Sequence, residues 1–237
     1  MEPGVTADVD LLVVDRCNLT PHPAEGQNPR MKLQILATLS ALLLSACGRD
    51  QPKDASKGPS GPAPDVYRVN FETTKGDFAI EVTRAWAPRG ADRFHELVQT
   101  KFFDGARFFR VVPRFVVQFG LKGDPATDRH WSQMSIPDDP VTQNNARGTI
   151  TYAKAGPASR TTQVFINLQD NFALDKQGFA PFGKVISGLD IVEQLYKGYG
   201  DGPPGGVGPE QDRIRAEGNE YLERYFPRMD YIKTGLL

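Results

Sequence analysis

Residues 108–123 read Phe-Phe-Arg-Val-Val-Pro-Arg-Phe-Val-Val-Gln-Phe-Gly-Leu-Lys-Gly, and they say more about this protein than any other stretch. Arg110 lies five residues before an aromatic, Phe115, and eight residues before an amide, Gln118. Apolar side chains fill most of the other positions, which predicts short strands here. The segment therefore combines a permanent cation, an aromatic ring and an amide on two short predicted strands.

The pattern on both sides of this stretch is that of a mainly β domain. Residues 67–72 and 78–83 alternate apolar and polar side chains around a turn at 75–77, which predicts a half-buried hairpin. Further strands are predicted at 107–112, 115–119, 149–153, 163–168, 182–186 and 229–233, and helices from Pro88, at about 189–196 and from near Pro209. Many short strands with few helices predict either a closed antiparallel barrel or a sandwich.

Composition limits the classes of function. The chain has 237 residues, 39% of them hydrophobic, with a formal net charge of −1. This length allows one domain or at most two, and the hydrophobic content predicts a packed core. Because there is no basic excess, nucleic acid is not an expected partner.

A second block, 153–166, reads Ala-Lys-Ala-Gly-Pro-Ala-Ser-Arg-Thr-Thr-Gln-Val-Phe-Ile. Together the two blocks resemble the active-site strands of cyclophilins, the peptidyl-prolyl cis/trans isomerases. The resemblance covers about 67–197 closely. It implies a closed eight-stranded antiparallel barrel capped by two helices, and the tail from Gly198 is similar to a C-terminal helix-strand extension found in some bacterial members.

The resemblance also implies the residues of the site. Rotation about an Xaa-Pro bond requires a donor to the prolyl nitrogen, a dry apolar pocket for the ring and a clamp on the flanking carbonyl. Arg110 suits the donor role, because its guanidinium is always charged and offers several N–H groups. Phe115 and Gln118 complete the catalytic set. Further residues correspond to the family's substrate-binding positions, namely Val116, Ala153, Lys154, Gln163, Phe165, Phe172, Leu174 and Phe179.

The chain departs from the family's pattern at specific positions. Phe179 stands where many relatives carry a histidine, and Ala173 stands where a larger aromatic is usual, with Phe172 beside it as a substitute. Arg114 replaces a common glycine, and Val116 a common methionine. In the family, a tryptophan at the Ala173 position helps to hold cyclosporin, so we expect cyclosporin to inhibit this protein weakly.

The N-terminal region carries a targeting pattern. Residues 31–46 have a short basic start, an apolar run and small residues, which is typical of a signal peptide. The ending Leu-Ser-Ala-Cys resembles a bacterial lipobox and implies cleavage before Cys47 and diacylation of its sulfur. The alternative is an ordinary signal peptide with a chance cysteine. Residues 1–30 have no periodicity, and a start codon called too far upstream, with Met31 the real start, explains them best.

The remaining organisation follows from these assignments. Residues 47–65 form a Pro/Gly/Ser-rich linker behind the lipidated Cys47, and 66–237 form the isomerase domain. We expect a monomer, anchored by lipid to a membrane of the bacterial cell envelope on the periplasmic side, which assists the folding of exported proteins. Stable anchoring needs more than one acyl chain, and a diacylglyceryl cysteine supplies two. No cofactor is expected.

Several other patterns were weighed and set aside. Residues 200–205 match G-x-G-x-x-G, but the stretch follows a helix and contains two prolines, so we interpret it as a proline/glycine loop. We interpret Asp138 and Asp139 as a turn, and His130 as part of a polar loop. The few histidines do not predict a metal site.

Three functions remain open from the sequence. The leading hypothesis is an active isomerase that accelerates Xaa-Pro rotation. The second is a module that grips Pro-containing segments without useful catalysis, and the third is a passive envelope lipoprotein. No proposed catalytic group titrates near neutrality, so an isomerase of this kind should have nearly constant activity from about pH 6 to 9.

Overall fold

The side-chain alternation of the sequence becomes the first hairpin of the structure. The computed structural model describes residues 61–237. Strand β1 (Val66–Thr73) buries every second side chain, as a strand with one solvated face does. It pairs antiparallel with β2 (Asp77–Thr83), with Val69 opposite Ile80.

Six further strands complete one eight-stranded sheet. They are β3 (Arg110–Val112), β4 (Val116–Phe119), β5 (Thr149–Tyr152), β6 (Val164–Asn167), β7 (Pro181–Ser187) and β8 (Ile232–Leu236). The order across the sheet is β3-β4-β6-β5-β7-β2-β1-β8, and every neighbouring pair is antiparallel. The prediction of a mainly β fold with eight antiparallel strands is confirmed. The last strand was predicted at 229–233 and lies three residues later.

The two outermost strands, β3 and β8, are brought together by the segments that lead into them. The N–H of Gly105 donates to the carbonyl of Ile232 at 2.8 Å, and the N–H of Ile232 donates to the carbonyl of Ala106 at 2.9 Å. A single bridge pairs Arg107 with Tyr231. The sheet therefore curls on itself and closes through this short stretch, which supports the barrel over the sandwich.

Within residues 61–237, five α-helices lie around the sheet. They are α1 (Pro88–Gln99), α2 (Pro125–Ser132), α3 (Leu189–Glu193), α4 (Gln211–Glu217) and α5 (Asn219–Tyr225). Short 3₁₀ turns occupy Arg84–Trp86 and Phe172–Gln177. The helix predicted from Pro88 is confirmed, whereas the one predicted at 189–196 ends at Glu193.

Helix α2 is absent from the sequence prediction, which counted two capping helices and placed His130 in a polar loop. That placement is wrong, because His130 lies in the last turn of α2. The helix begins with a strong local signal: the side chain of Asp124 accepts the N–H of Thr127 at 2.8 Å, and Pro125 occupies the first turn.

The C-terminal extension contains two short helices where one was predicted. Gly218 separates α4 from α5 with a φ of 69°, a conformation that side chains rarely adopt. A Cβ at this position would lie 2.5 Å from the carbonyl oxygen of Gly123. The close approach of two backbones therefore requires glycine here and divides the helix.

Apolar packing falls into three clusters. The largest fills the barrel and is rich in phenylalanine, including Phe71, Phe78, Phe94, Phe103, Phe108, Phe119 and Phe182. A second, smaller cluster lies around Phe115 and Phe165, and a third holds the extension against Phe109 and Leu121. The barrel interior is therefore separate from the cluster that contains the predicted substrate pocket.

The folded part begins before the predicted domain boundary at Val66. Ala63 is buried, and its N–H donates to Asp92 Oδ1 at 2.9 Å. Predictions for 1–30, 31–46 and Cys47, and for most of the 47–65 linker, fall outside the described residues. Among the helices of residues 61–237, none has the length and apolar character needed to cross a bilayer.

Candidate active site

The β3–β4 hairpin places Arg110 directly opposite Gln118. The two residues are register partners across the ladder, so their side chains emerge on the same face of the sheet. Arg110 Nη1 donates to Gln118 Oε1 at 3.1 Å. Both side chains are buried, so this hydrogen bond lies away from bulk water. A spacing of eight residues in the sequence thus becomes a contact through a tight turn.

A row of amides continues from Gln118. Its Nε2 donates to Gln163 Oε1 at 2.7 Å, which links β4 to the residue that precedes β6. Gln163 Nε2 in turn donates to Gln211 Oε1 at 3.0 Å, at the first residue of α4. The predicted residues Arg110, Gln118 and Gln163 therefore form one buried polar row, and Gln211 extends it into the C-terminal extension.

An apolar pocket floor lies beside this row. It is formed by a cluster of buried side chains that the sequence had predicted, namely Phe115, Val116, Ala153, Phe165, Leu174 and Phe179. Val112, which the sequence had not predicted, is half-buried at the edge of this cluster. The rings of Phe165 and Phe179 meet edge to face with centroids 5.9 Å apart. The guanidinium carbon of Arg110 lies 5.5 Å from the centroid of Phe115, within cation–π range.

Phe172 lies apart from this cluster. Its side chain is 50% exposed at the start of the short 3₁₀ turn, and neighbouring Ala173 is exposed as well. Phe172 and Ala173 therefore lie on the surface next to Leu174 of this cluster, and the role of Phe172 as a substitute for the larger aromatic stays a prediction.

Lys154 closes another side of the pocket. Its Nζ lies 5.4 Å from the ring centroid of Phe179 and 3.4 Å from Asp138 Oδ2, and its side chain is 11% exposed. The N–H of Ala153 already donates to the carbonyl of Gln163 at 3.0 Å. A bound peptide would therefore meet the remaining backbone groups of this segment rather than that N–H.

Asp139 has a structural role that the sequence did not reveal. It was predicted as part of a turn, yet its carboxylate is buried and accepts the N–H groups of Arg89 at 3.1 Å and Gly90 at 2.9 Å. It also accepts Arg160 Nη2 at 3.0 Å. Asp139 thus binds the first turn of α1 and ties it to the segment that carries Gln163.

Asp201 is a site residue that the sequence did not predict. It lies in the stretch 200–205, which was interpreted as a proline/glycine loop. In the structure its two carboxylate oxygens accept Arg110 Nε at 2.7 Å and Nη2 at 2.8 Å. No spacing signal could have found this pair, since 91 residues separate its members.

The ionisable side chains at the site include those of Arg110, Asp201 and Lys154. Of the described histidines, His95 is on α1 and His130 on α2, and burial lowers the pKa of His95. Within residues 61–237, no group of three His, Cys, Asp or Glu side chains could hold a metal ion. The site as built offers hydrogen-bond donors, an amide row and an apolar floor.

Comparisons with known proteins all match the same family. The family model described as cyclophilin type peptidyl-prolyl cis-trans isomerase/CLD matches residues 68–216. A peptidyl-prolyl cis-trans isomerase of Acinetobacter baylyi is 35% identical over 135 residues, which cover 54% of this chain and 70% of that protein. Peptidyl-prolyl cis-trans isomerase A of Dickeya dadantii is 32% identical with the same coverage.

Solved structures share the fold. A cyclophilin-type isomerase of Cryptosporidium parvum, determined in the presence of the dipeptide Ala-Pro, aligns with a TM-score of 0.53 at 17% identity and covers 72% of this chain and 98% of its own. A cyclophilin from Hirschia baltica aligns with a TM-score of 0.52 at 17% identity and covers 73% of each chain. The family match extends to residue 216, beyond Gly198 and into α4.

Proposed function

This chain belongs to the cyclophilin-type peptidyl-prolyl cis-trans isomerases, and from that premise we propose how and where it catalyses rotation about Xaa-Pro bonds. Arg110 donates a hydrogen bond to the prolyl nitrogen as the bond twists, Phe115 and Phe165 receive the ring, and Gln118 holds the arginine and a substrate carbonyl. The main observation that supports the proposal is that the buried Arg110 guanidinium lies over Phe115 and donates a hydrogen bond to Gln118.

The chemistry fits a site without a nucleophile or metal. The planar amide resists rotation by about 18–20 kcal/mol, and the twisted state localises a lone pair on the prolyl nitrogen. A charge-assisted hydrogen bond to that lone pair contributes roughly 1.5–3 kcal/mol. Raising exchange from once in about 100 s to about a thousand per second requires about 7 kcal/mol. Exclusion of water and orientation of the peptide in the pocket must supply the rest.

Exchange NMR on a short Ala-Pro-Phe-type peptide tests the mechanism. With the wild-type protein, the cis and trans signals should exchange rapidly. In Arg110→Ala the rate should fall roughly 10- to 150-fold, the equivalent of the lost hydrogen bond. Equal rates for the two proteins would exclude Arg110 as the donor, and no acceleration by either protein would exclude catalysis.

A catalytically weak module that binds Pro-containing segments is the alternative, and one contact favours it. Asp201 already occupies two of the N–H groups of Arg110. If those donors were required by the substrate, peptide would bind slowly or weakly and turn over little. In the same NMR experiment, this function would shift peptide signals in proportion to protein concentration without exchange between the isomers.

The proposed place of action is the bacterial cell envelope, with proteins in transit as clients. Support comes from residues 31–46, with their signal-peptide pattern, and from the lipobox-like ending at Cys47. The Pro/Gly/Ser-rich stretch that follows would act as a flexible tether between the lipid and the domain. A monomer suffices for this arrangement.

Mass spectrometry of the protein purified from its own membranes tests the anchor. A mature N-terminus at Cys47 that carries a diacylglyceryl group would support it, and a Cys47→Ala variant should be released into the soluble fraction. An N-terminus at another residue, or an unmodified Cys47, would contradict it.

A further inference from the structure

We propose that Asp201 is a positioning residue of the isomerase site, which holds the Arg110 guanidinium in its working orientation from the C-terminal extension. The inference rests on the proposed role of Arg110 and adds a residue to it. The site would then be incomplete without residues 198–211 of the C-terminal extension.

The contact has the geometry of a strong pair. Asp201 Oδ1 accepts Arg110 Nε at 2.7 Å, and Oδ2 accepts Nη2 at 2.8 Å. Two parallel bonds between a planar fork and a carboxylate fix both the position and the plane of the guanidinium. A single hydrogen bond, such as the one to Gln118 on Nη1, would leave rotation about that bond free.

Burial makes the counter-charge necessary. The Arg110 side chain is 4% exposed and that of Asp201 is 16% exposed. A guanidinium removed from water without a partner is strongly disfavoured and turns towards solvent where it can. Asp201 supplies the compensating charge, and so it keeps Arg110 over Phe115 rather than at the surface.

The pairing leaves donors for a substrate. Arginine has five N–H groups, and three of those on Arg110 donate to Asp201 and Gln118. One N–H on Nη1 and one on Nη2 have no acceptor among the described residues. Asp201 contacts the side of the guanidinium formed by Nε and Nη2, and the ring centroid of Phe115 lies 5.5 Å from the guanidinium carbon. Asp201 can therefore remain in place while a remaining N–H donates to a prolyl peptide.

The loop that carries Asp201 is built around it. Residues 198–209 contain six glycines and three prolines. The N–H of Gly202 donates to Asp201 Oδ1 at 2.8 Å, and the N–H of Gly208 donates to the Asp201 carbonyl at 2.7 Å. A Cβ on Gly206 would lie 2.4 Å from that carbonyl oxygen. The backbone therefore packs closely around Asp201 and holds its carboxylate and carbonyl by hydrogen bonds.

Both ends of the loop are fastened to the domain. At one end, the ring of Tyr199 packs against Phe226 with centroids 5.0 Å apart, in the cluster that joins the extension to the barrel. At the other end, Gln211 Oε1 accepts a hydrogen bond from Gln163 Nε2, and Gln211 is thereby the last amide of the polar row. Asp201 and Gln211 thus hold the two ends of the row that runs through Arg110, Gln118 and Gln163.

The test compares Asp201→Asn, Asp201→Glu and a matched control, Asp212→Asn. Asp212 is an exposed carboxylate of α4 that pairs only with Arg215 among the described residues, so its loss removes the same charge outside the site. All variants are made in the full chain, and their Tm values are recorded. Turnover is measured by exchange NMR over a range of peptide concentrations, which separates kcat from KM.

We expect Asp201→Asn to lower kcat by about tenfold with little change in KM, because a misplaced donor costs roughly one to two orders of magnitude. Asp201→Glu should recover part of the loss, and Asp212→Asn should match the wild type. A fall in KM or a rise in kcat for Asp201→Asn would mean that Asp201 obstructs the substrate, and this would overturn the proposal, as would wild-type kinetics.

A second readout does not depend on turnover. In the wild type, the Arg110 Nε–H should give a sharp, shifted NMR signal that Asp201→Asn broadens and moves towards that of free arginine. If neither wild type nor Arg110→Ala accelerates exchange, the proposed function fails, while this signal still reports whether Asp201 holds Arg110. An unchanged Arg110 signal in Asp201→Asn would refute the positioning role by itself.

Discussion

The two faces of β4 are both buried, but they are buried in different ways. Val117 and Phe119 point into the barrel and pack among other phenylalanines. Val116 and Gln118 point to the opposite face, where Val116 joins the pocket floor and Gln118 bonds to Arg110. The barrel-facing side of β4 is stabilised by close apolar packing, whereas the opposite side also depends on specific hydrogen bonds. Adjacent substitutions on one strand should therefore separate stability from catalysis.

The largest expected effect lies on the interior face. Phe119→Ala should lower the free energy of unfolding by about 3–5 kcal/mol, because it removes a fully buried ring and leaves a cavity. The ring of Phe119 meets those of Phe108 and Phe103 at centroid distances of 5.3 and 5.6 Å. Urea denaturation measures the change, and kcat of the folded fraction should stay near that of the wild type. If Phe119→Ala lost turnover without losing stability, the proposed separation between a structural face and a catalytic face of β4 would be wrong.

The matching change on the site face is Gln118→Met, which keeps a side chain of similar volume but removes the amide. It should reduce kcat/KM roughly tenfold, since Arg110 loses a hydrogen bond worth about 1.5 kcal/mol. The unfolding free energy should fall less than in Phe119→Ala, and exchange NMR with urea denaturation checks both quantities. A protein with full activity would show that Gln118 only fills space.

A substitution at the exposed rim of the pocket should strengthen inhibition by cyclosporin rather than weaken activity or stability. Because Ala173 is exposed and Phe172 lies outside the pocket cluster, we expect weak inhibition by cyclosporin. Ala173→Trp should strengthen inhibition about tenfold, since a new aromatic contact contributes about 0.5–1.5 kcal/mol beyond the area that it buries. Inhibition constants measured on both proteins decide this, with Lys176→Trp on the same turn as the control for a non-specific aromatic effect. Tight inhibition of the wild type would contradict the expectation.

The smallest effects concern pH. Turnover should be nearly constant from about pH 6 to 9, because the site works through an arginine that stays charged. A steep bell-shaped profile of kcat/KM would exclude the proposed mechanism.

Stability should depend weakly on pH through a residue outside the site. Burial lowers the pKa of His95, although Asp92 nearby opposes the shift. The folded state then binds protons less readily than the unfolded state, whose histidine has a pKa of about 6.5. Neutral His95 therefore contributes fully to stability above about pH 6.5. This contribution is lost as the pH falls below that value, so Tm should decline at acidic pH. His95→Gln should flatten this part of the Tm profile, and an unchanged slope would exclude His95 as its cause.

The sequence predicted those parts of the site that depend on neighbours along the chain. The resemblance to the family implied that Gln118 braces Arg110, and the two residues, eight apart in the sequence, meet across one tight hairpin. Phe115, Val116 and Phe165 likewise fall in one cluster, as the resemblance to the family implied. For Val116 and Phe165 a period of two within a short strand decides which face the side chain takes, whereas Phe115 lies in the turn before β4.

The sequence could not predict contacts between distant segments. Asp201 meets Arg110 only because the extension folds back over β3, and Asp139 meets the start of α1 at sequence separations of 49 and 50. Gly218 divides the last helices because another backbone approaches it closely. Helix α2 is a different kind of miss, since its Asp-Pro start was readable from local signals.

The sequence by itself determined the mainly β character through alternation within single strands and hairpins, and its resemblance to the family identified the arginine, aromatic and glutamine set. Only the tertiary structure decided how the sheet closes, where Phe172 lies and which carboxylate neutralises Arg110. These depend on which distant surfaces meet when the chain packs, and a buried charge takes its partner from whatever segment the fold brings within hydrogen-bond reach.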